Sequence, residues 1–395
     1  MPGSRTGETA SPGHILALLR AEGPLTRQEL QTRTGLSRAT MVERLDVLHR
    51  LRLLRPTGFR ASSGGRPAEM LAANDVGHTA LVADIGQRHC TVAVADLHGT
   101  VFTQEHRPLP YGHPPAETLP YLLETGRGLL KATSRAESLS AVGLSVPGQI
   151  DHDEGTTIAP PTMSGWLGVR LREEISRELP VPVFLENDAN ALAFGAHCEL
   201  GRPDAALVGV KVGTGIGAGM VISGRVHRGE TGSAGEIGHI RIEGDERRCD
   251  CGRRGCVSAI AGGKALIRDL RHSGVRSTDD LIRRVWDGNA DASRLTAAAG
   301  RLVGTVLATV VTIVNPRYVR VGGEIGVLPP FLRGLREAVL ANAHASSLDG
   351  ISVEPCALGS NTTLTGVAGL VADELLAPAA VDALVARSGG SPDQA

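Results

Sequence analysis

No stretch of this 395-residue chain is a run of about 20 apolar residues, the length that a helix needs to cross a bilayer. The longest aliphatic segment, TVLATVVTIV from Thr305, falls well short of it, so no membrane partner is expected. The first residues lack a basic segment followed by a long apolar one, which argues against secretion and makes the cytoplasm the default, with the nucleoid as the place of action if DNA is bound. Lysine is missing from residues 1–66, yet that segment holds eleven arginines against five acids. Its balance of +6 leaves −7 for the rest of a chain whose net charge is −1. A near-neutral total therefore hides a basic front end, which suits a polyanion, although a solvated arginine-rich surface gives the same count. Cysteine is scarce at six residues, and the 42% hydrophobic and 21% charged content excludes a fibrous or disordered chain. The length allows two or three domains.

The basic front end has an internal pattern. After residues 1–10, expected to be flexible, HILALLRAEG places Ile15, Leu16, Leu18 and Leu19 on one helical face, and Gly23-Pro24 ends it. Thr26 and Glu29 have the capping-box spacing for a second helix. Gly35 in TGLS can take the left-handed turn, and Ser37 can cap a third helix whose Met41, Leu45 and Leu48 fall at burial spacing. Two short helices joined by a glycine turn form a helix-turn-helix. The second helix would present Ser37, Arg38, Thr40, Met41 and Arg44 to base edges of double-stranded operator DNA. RLLRPTGFRASSGGRPAEMLAAN then suggests two strands with a glycine-rich tip, a wing whose Arg66 would reach a minor groove. The expected DNA-binding domain spans residues 11–75.

Beyond residue 80, β-branched runs that end at glycines alternate with helical stretches such as LTAAAGRLVGTVLATVVTIVN, which implies an α/β body of two lobes. Within it His239 is followed by Cys249, Cys251 and Cys256, with Gly252 and Gly255 between the thiols. One histidine and three cysteines complete a closed tetrahedral shell for a structural Zn2+. Cys90, Cys198 and Cys356 stand alone and are expected to be small buried hydrophobes.

The ordered set GLSVPG at 143–148, GW at 165–166, LENDANALAFG at 185–195, VGTGIGAG at 212–219, GEIGH at 235–239, the cysteine knuckle and NPRYVRVGGEIG at 315–326 resembles the ROK family. That family joins sugar kinases to sugar-responsive repressors on a two-lobed, actin-like ATPase fold. The resemblance covers residues 11 to about 375, and the N-terminal helix-turn-helix is similar to the regulator branch. It implies lobe 1 over 80–187, lobe 2 with the zinc site over 188–364, and a C-terminal helix returning to lobe 1 over 365–376. The small and polar residues that close the chain are expected to leave a flexible tail over 377–395. The resemblance also implies that a sugar or sugar derivative lies between the lobes, held by Asn187, Asp188, Glu236 and His239. Asp188 aligns with the base of the kinases, and its alternative role is to cap the helix that follows it.

Three positions depart from the kinase pattern. Where the kinases carry Asp-x-Gly-Gly-Thr in the hairpin that grips ATP phosphates, this chain keeps Asp84 and Gly86 but has Gln87 and Arg88. Two side chains then occupy the space of the phosphates, so no ATP is expected. Ser258 stands where the family has a glutamate that contacts the sugar, and Thr162 where an asparagine is common. A lost charge-assisted hydrogen bond removes about 1.5–3 kcal/mol from ligand binding. The expectation is a non-enzymatic transcriptional regulator of carbohydrate genes, a repressor by the family's commoner habit, acting as a homodimer or homotetramer because paired half-sites require a two-fold partner. The alternatives are an ATP-dependent sugar kinase with an added DNA-binding domain, and a body that only dimerises or binds a protein.

Overall fold

Local signals at the N-terminus are obeyed one by one in the computed structural model, which describes residues 11–60, 67–159, 163–202 and 204–389. The Ser11 hydroxyl accepts from the His14 amide and starts α1 (Pro12–Glu22). After β1 (Leu25–Thr26), Thr26 and Glu29 close a reciprocal capping box on α2 (Arg27–Thr34). Gly35 takes the left-handed conformation at φ 69°, and Ser37 caps α3 (Arg38–Arg50). The ribbon is β2 (Leu54–Arg60) and β3 (Ala68–Ala73), and β1 pairs with β3 to give the order β1-β3-β2. Arg66 and the ribbon tip lie outside the described residues.

Lobe 1 opens with the meander β4 (Thr79–Ile85), β5 (His89–Asp96) and β6 (Val101–Pro108). Next come α4 (Pro115–Ala132), β7 (Leu139–Val146), the small ribbon β8 (Gln149–Asp151) and β9 (Thr156–Ala159), α5 (Leu171–Glu178) and β10 (Val183–Asn187). Strands β10, β7 and β4 run parallel, and the sheet order is β10-β7-β4-β5-β6. Helix α6 (Asp188–Leu200) leads into lobe 2. There β11 (Leu207–Val212), β12 (Ile216–Ile222) and β13 (Arg225–Val226) form a second meander. Helices α7 (Val257–Ala261), α8 (Gly263–Asp269), α9 (Thr278–Trp286) and α10 (Ala290–Val314) follow, then β14 (Tyr318–Gly322), α11 (Pro329–Asn342) and β15 (Ser352–Pro355). The order β13-β12-β11-β14-β15 repeats the lobe 1 pattern of three antiparallel strands flanked by two parallel additions.

Helix α10 is long and apolar enough to cross a membrane by length and composition, which its aliphatic half alone did not reveal. In the fold it packs along α11 and buries Val303, Leu307 and Val311 in the lobe 2 core.

The chain ends with α12 (Asn361–Leu375) and α13 (Pro378–Gly389). Helix α12 lies against α6 on one side and against β7 and β4 on the other. The expectation of a loose tail from residue 377 is corrected here: α13 is a helix docked on α1. Val381 is buried, the Gly13 amide donates to Asp382 Oδ1 at 2.8 Å, and the Pro378 carbonyl sits where a Cβ on Gly13 would fall. Leu16, Met41 and Leu48 of the front end share one apolar cluster with Val367, Val371 and Val381 and with Val82 of lobe 1. The N-terminal unit is therefore fastened to the body by burial of apolar surface.

Candidate functional site

Parallel strands of both lobes end at one cleft, the place where open α/β sheets gather polar groups. Strand β4 ends near Asp84, β10 at Asn187, and β11 at Lys211 and Val212. Lys211 Nζ stands 3.0 Å from Asp188 Oδ2 and 3.6 Å from Asp84 Oδ1, and the three side chains are only 11–23% exposed. Burial works to raise the Asp84 pKa, but Lys211, His89 and Ser145 outweigh it and hold the carboxyl well below the ordinary carboxylate range. Burial works against the Lys211 ammonium, and Asp188 and Asp84 reverse this and hold its pKa above the usual lysine range. Sequence reasoning missed Lys211. Its signal was a lone cation in the apolar strand ALVGVKVG, one of three lysines in the chain.

Of the bulky groups after Gly86, Arg88 and His89 have structural partners, whereas Gln87 Oε1 is buried without a hydrogen-bond partner. The Gln87 side-chain amide reaches across to lobe 2 and comes 4.0 Å from the place a Cβ on Gly215 would take. Arg88 lies over the Tyr111 ring at 5.2 Å. His89 Nε2 lies 3.2 Å from Asp84 Oδ2, and its ring fills the space above Gly86 so closely that a Cβ there would overlap it. The Tyr111 hydroxyl donates to Asp250 Oδ2 at 3.4 Å, and Lys264 Nζ donates to Asp250 Oδ1 at 2.7 Å, which ties lobe 1 to the cysteine knuckle.

Asn187, and not Asp188, is the helix cap. Its Oδ1 accepts from the Ala189 and Asn190 amides and its Nδ2 donates to the Gly148 carbonyl. One N–H of the Asn187 amide is left for a ligand, and Asp188 is free of capping. Glu236 is 43% exposed at the cleft mouth. Partial desolvation raises its pKa, His239 opposes this, and the Asp188 charge adds to it. Ser258 turns from the cleft, and its Oγ accepts from the Ile216 amide at 3.2 Å.

The four donor atoms of His239, Cys249, Cys251 and Cys256 all lie within 4.8 Å of one another. Cys251 Sγ is 3.7 Å from Cys256 Sγ, and Cys249 Sγ is 3.6 Å from His239 Nδ1. A tetrahedron with bonds of ~2.3 Å has edges of about 3.8 Å, so the set fits a four-coordinate zinc. His239 Nδ1 faces the thiols and Nε2 faces Glu236 at 3.8 Å, so one ring serves both metal shell and cleft. Gly255 at φ 73° allows the turn, since a Cβ there would come 2.5 Å from the Asp245 carbonyl oxygen. Of the single cysteines, Cys90 and Cys356 are buried, with burial first among the causes pushing both thiols up to about 12. Cys198 is exposed as a residue, contrary to expectation, yet its thiol is packed toward Gly369 and burial pushes it up to about 12 as well.

At the front end, Ser37 and Arg38 are exposed at the start of α3. Thr40 is half-buried, and its hydroxyl lies 2.9 Å from Ser37 Oγ. Arg44 is also half-buried. Met41 cannot contact DNA: it is 1% exposed, because helical spacing places it beside Leu45 and Leu48 in the core.

These observations define a two-lobed α/β body of actin-like ATPase fold that carries an N-terminal head of three helices and a small three-stranded sheet. The ROK family model matches residues 80–374, and the chain belongs to the ROK family. It is 28% identical to a xylose repressor of Bacillus subtilis (strain 168) over 366 residues, covering 92% of this chain and 94% of that protein. Among solved structures, a ROK family transcriptional regulator described as a homologue of the E. coli MLC protein superposes with a TM-score of 0.78 at 23% identity, covering 96% of this chain and all of the other. A ROK hexokinase from Thermus thermophilus gives a TM-score of 0.59 at 30% identity, covering 74% of this chain and 97% of the hexokinase.

Proposed function

We propose that this protein is a DNA-binding transcriptional regulator, a repressor of carbohydrate genes, whose body senses a sugar or sugar derivative without phosphorylating it. The observation that carries the proposal is the Lys211–Asp188 ion pair at 3.0 Å in a chain that also has a packed helix-turn-helix head. A carboxylate held by an ammonium is poorly placed to take a proton from a sugar hydroxyl, and Gln87 lies in the turn where the kinases place phosphates. Resemblance to a xylose repressor across head and body supports the same reading.

In this reading Asp188, Glu236, His239 and the remaining Asn187 N–H bind the sugar hydroxyls. The residues His239, Cys249, Cys251 and Cys256 hold a structural Zn2+, which when bound fixes the floor of the cleft. Ser37, Arg38, Thr40, Arg44 and Arg66 serve the DNA interface, and a homodimer or homotetramer in the cytoplasm presents paired heads to operator half-sites. Sugar binding acts by favouring one lobe arrangement over another, and α12 and α13, packed on α6, the lobe 1 sheet and α1, connect the cleft to the head.

The test is to recover chromosomal DNA fragments with the protein, with and without a carbohydrate panel, and to sequence them. Enrichment of discrete sites beside sugar-related genes, altered by one carbohydrate, supports the reading. Absence of sequence enrichment contradicts it.

A further inference from the structure

One face of α3 is turned away from the core, and of its residues only Arg38 has been given a role. Met41, Leu45 and Leu48 are buried, and Arg38, Ala39, Val42, Glu43 and Asp46 form the exposed stripe opposite them, at the i, i+3 and i+4 spacing of a single helical face. Val42 is 38% exposed. Glu43 and Asp46 form no ion pair among the described residues. Ser37 and Thr40, the short polar residues of the first turn, have their hydroxyls 2.9 Å apart and bonded to each other.

Resting on the DNA-binding reading above, we infer that Ala39, Val42 and Glu43 read bases: the operator half-site offers thymine methyls to Ala39 and Val42, next to a cytosine whose N4 amino group donates to Glu43. The N-terminal residues of a recognition helix are those that meet base edges. In the major groove only thymine presents a methyl group, which suits the apolar Ala39 and Val42. A carboxylate facing a polyanion is repelled unless it meets a donor, and the bases offer two amino donors there, on cytosine and adenine. Adenine sets the N7 acceptor beside its amino group and opposes a carboxylate, whereas cytosine does not. Arg38, on the same stripe, supplies the cation that anchors this end of the helix to phosphate or guanine.

The experiment is in vitro selection from random duplexes by the full-length chain and its Glu43→Gln and Val42→Ala variants, followed by anisotropy titrations on the selected site. Both positions are exposed, so melting temperatures stay unchanged and report intact folding. The unsubstituted chain selects a half-site with a fixed cytosine adjoining thymine. Glu43→Gln moves that one position from cytosine to adenine, which a glutamine amide can pair, with about a 10-fold change in preference. Deoxyuridine in place of the thymine weakens the unsubstituted chain by about 4-fold, as loss of one buried methyl should, and Val42→Ala shrinks that difference. If all three proteins select the same motif, or Glu43→Gln only raises affinity for every sequence alike, the assignment is overturned while DNA binding stands. If the unsubstituted chain enriches no duplex, the DNA-binding reading falls and the assignment falls with it.

Discussion

Lys211 Nζ lies 3.0 Å from Asp188 Oδ2 and shares its ammonium with Asp84 at 3.6 Å, so one lysine of lobe 2 neutralises carboxylates at the end of β4 and the start of α6. Removing it leaves a buried and a half-buried acid without the cation they share. Lys211→Met should destabilise the protein by about 3–5 kcal/mol at neutral pH, the usual result of breaking a buried ion pair. The double variant with Asp84→Asn should recover part of that loss, as denaturant titrations would show. The pH dependence follows from the signs. The Asp84 pKa is depressed in the fold, so its contribution is present above the unfolded value of about 3.9 and disappears as pH falls through the lower folded value. The Lys211 pKa is raised, so its contribution is present below about 10.4 and disappears as pH rises through the higher folded value. The stability gap between wild type and Asp84→Asn should therefore be flat near neutrality and close in acid.

Reverting the hairpin alone should not create a kinase. With Gln87→Gly and Arg88→Thr the turn after β4 regains the residues that the resemblance associates with phosphate binding, but Lys211 still holds Asp188. A coupled assay for ADP across hexoses and pentoses should show no turnover in the double variant, and sugar-dependent turnover would show that the ion pair does not silence the cleft.

Cys251→Ser should lower zinc content from one ion per chain to well below one, measured by elemental analysis, and should lower the melting temperature. Because Asp250 between Cys249 and Cys251 accepts from Tyr111 and Lys264, loosening the knuckle also loosens the junction between lobes. Limited proteolysis should then cut at the interlobe connections earlier than in the wild type.

Gly13→Ala should separate head from body. The new Cβ would come 2.2 Å from the Pro378 carbonyl oxygen, a backbone atom that cannot turn aside, so α13 must shift. A loss of about 1–3 kcal/mol is expected for such overpacking. Hydrogen exchange should show faster opening of α1 and α13 with little change in the lobe 2 core.

How much of this could be seen in the sequence depended on how local the cause was. The Thr26–Glu29 capping box, the Ser37 cap and the Gly35 turn lie within a few residues of each other, so residue type and spacing sufficed. The cysteine knuckle was legible because three of its donors fall within one loop. Met41 sits by residue type and position among both the core residues and the candidate DNA contacts of α3, and the helical period favours only the first. Asn187 and Asp188 are both good N-cap residues, and a one-residue helix boundary decided between them. Lys211 could not be placed, because its partners lie on strands remote in sequence and only sheet topology brings them together. The same applies to α13, whose small and polar residues form a helix through contacts with α1, at the other end of the chain.

The most direct test of the account is fluorescence anisotropy of a labelled operator duplex bound to the intact chain, titrated with single sugars in the presence and absence of magnesium and ATP, with ADP measured in the same cuvette. The account predicts that one sugar or sugar derivative shifts the binding curve by itself, that magnesium and ATP leave the curve unmoved, and that no ADP forms. A curve that responds to sugar only when ATP is present, or accumulation of ADP with a phosphorylated sugar, would contradict it.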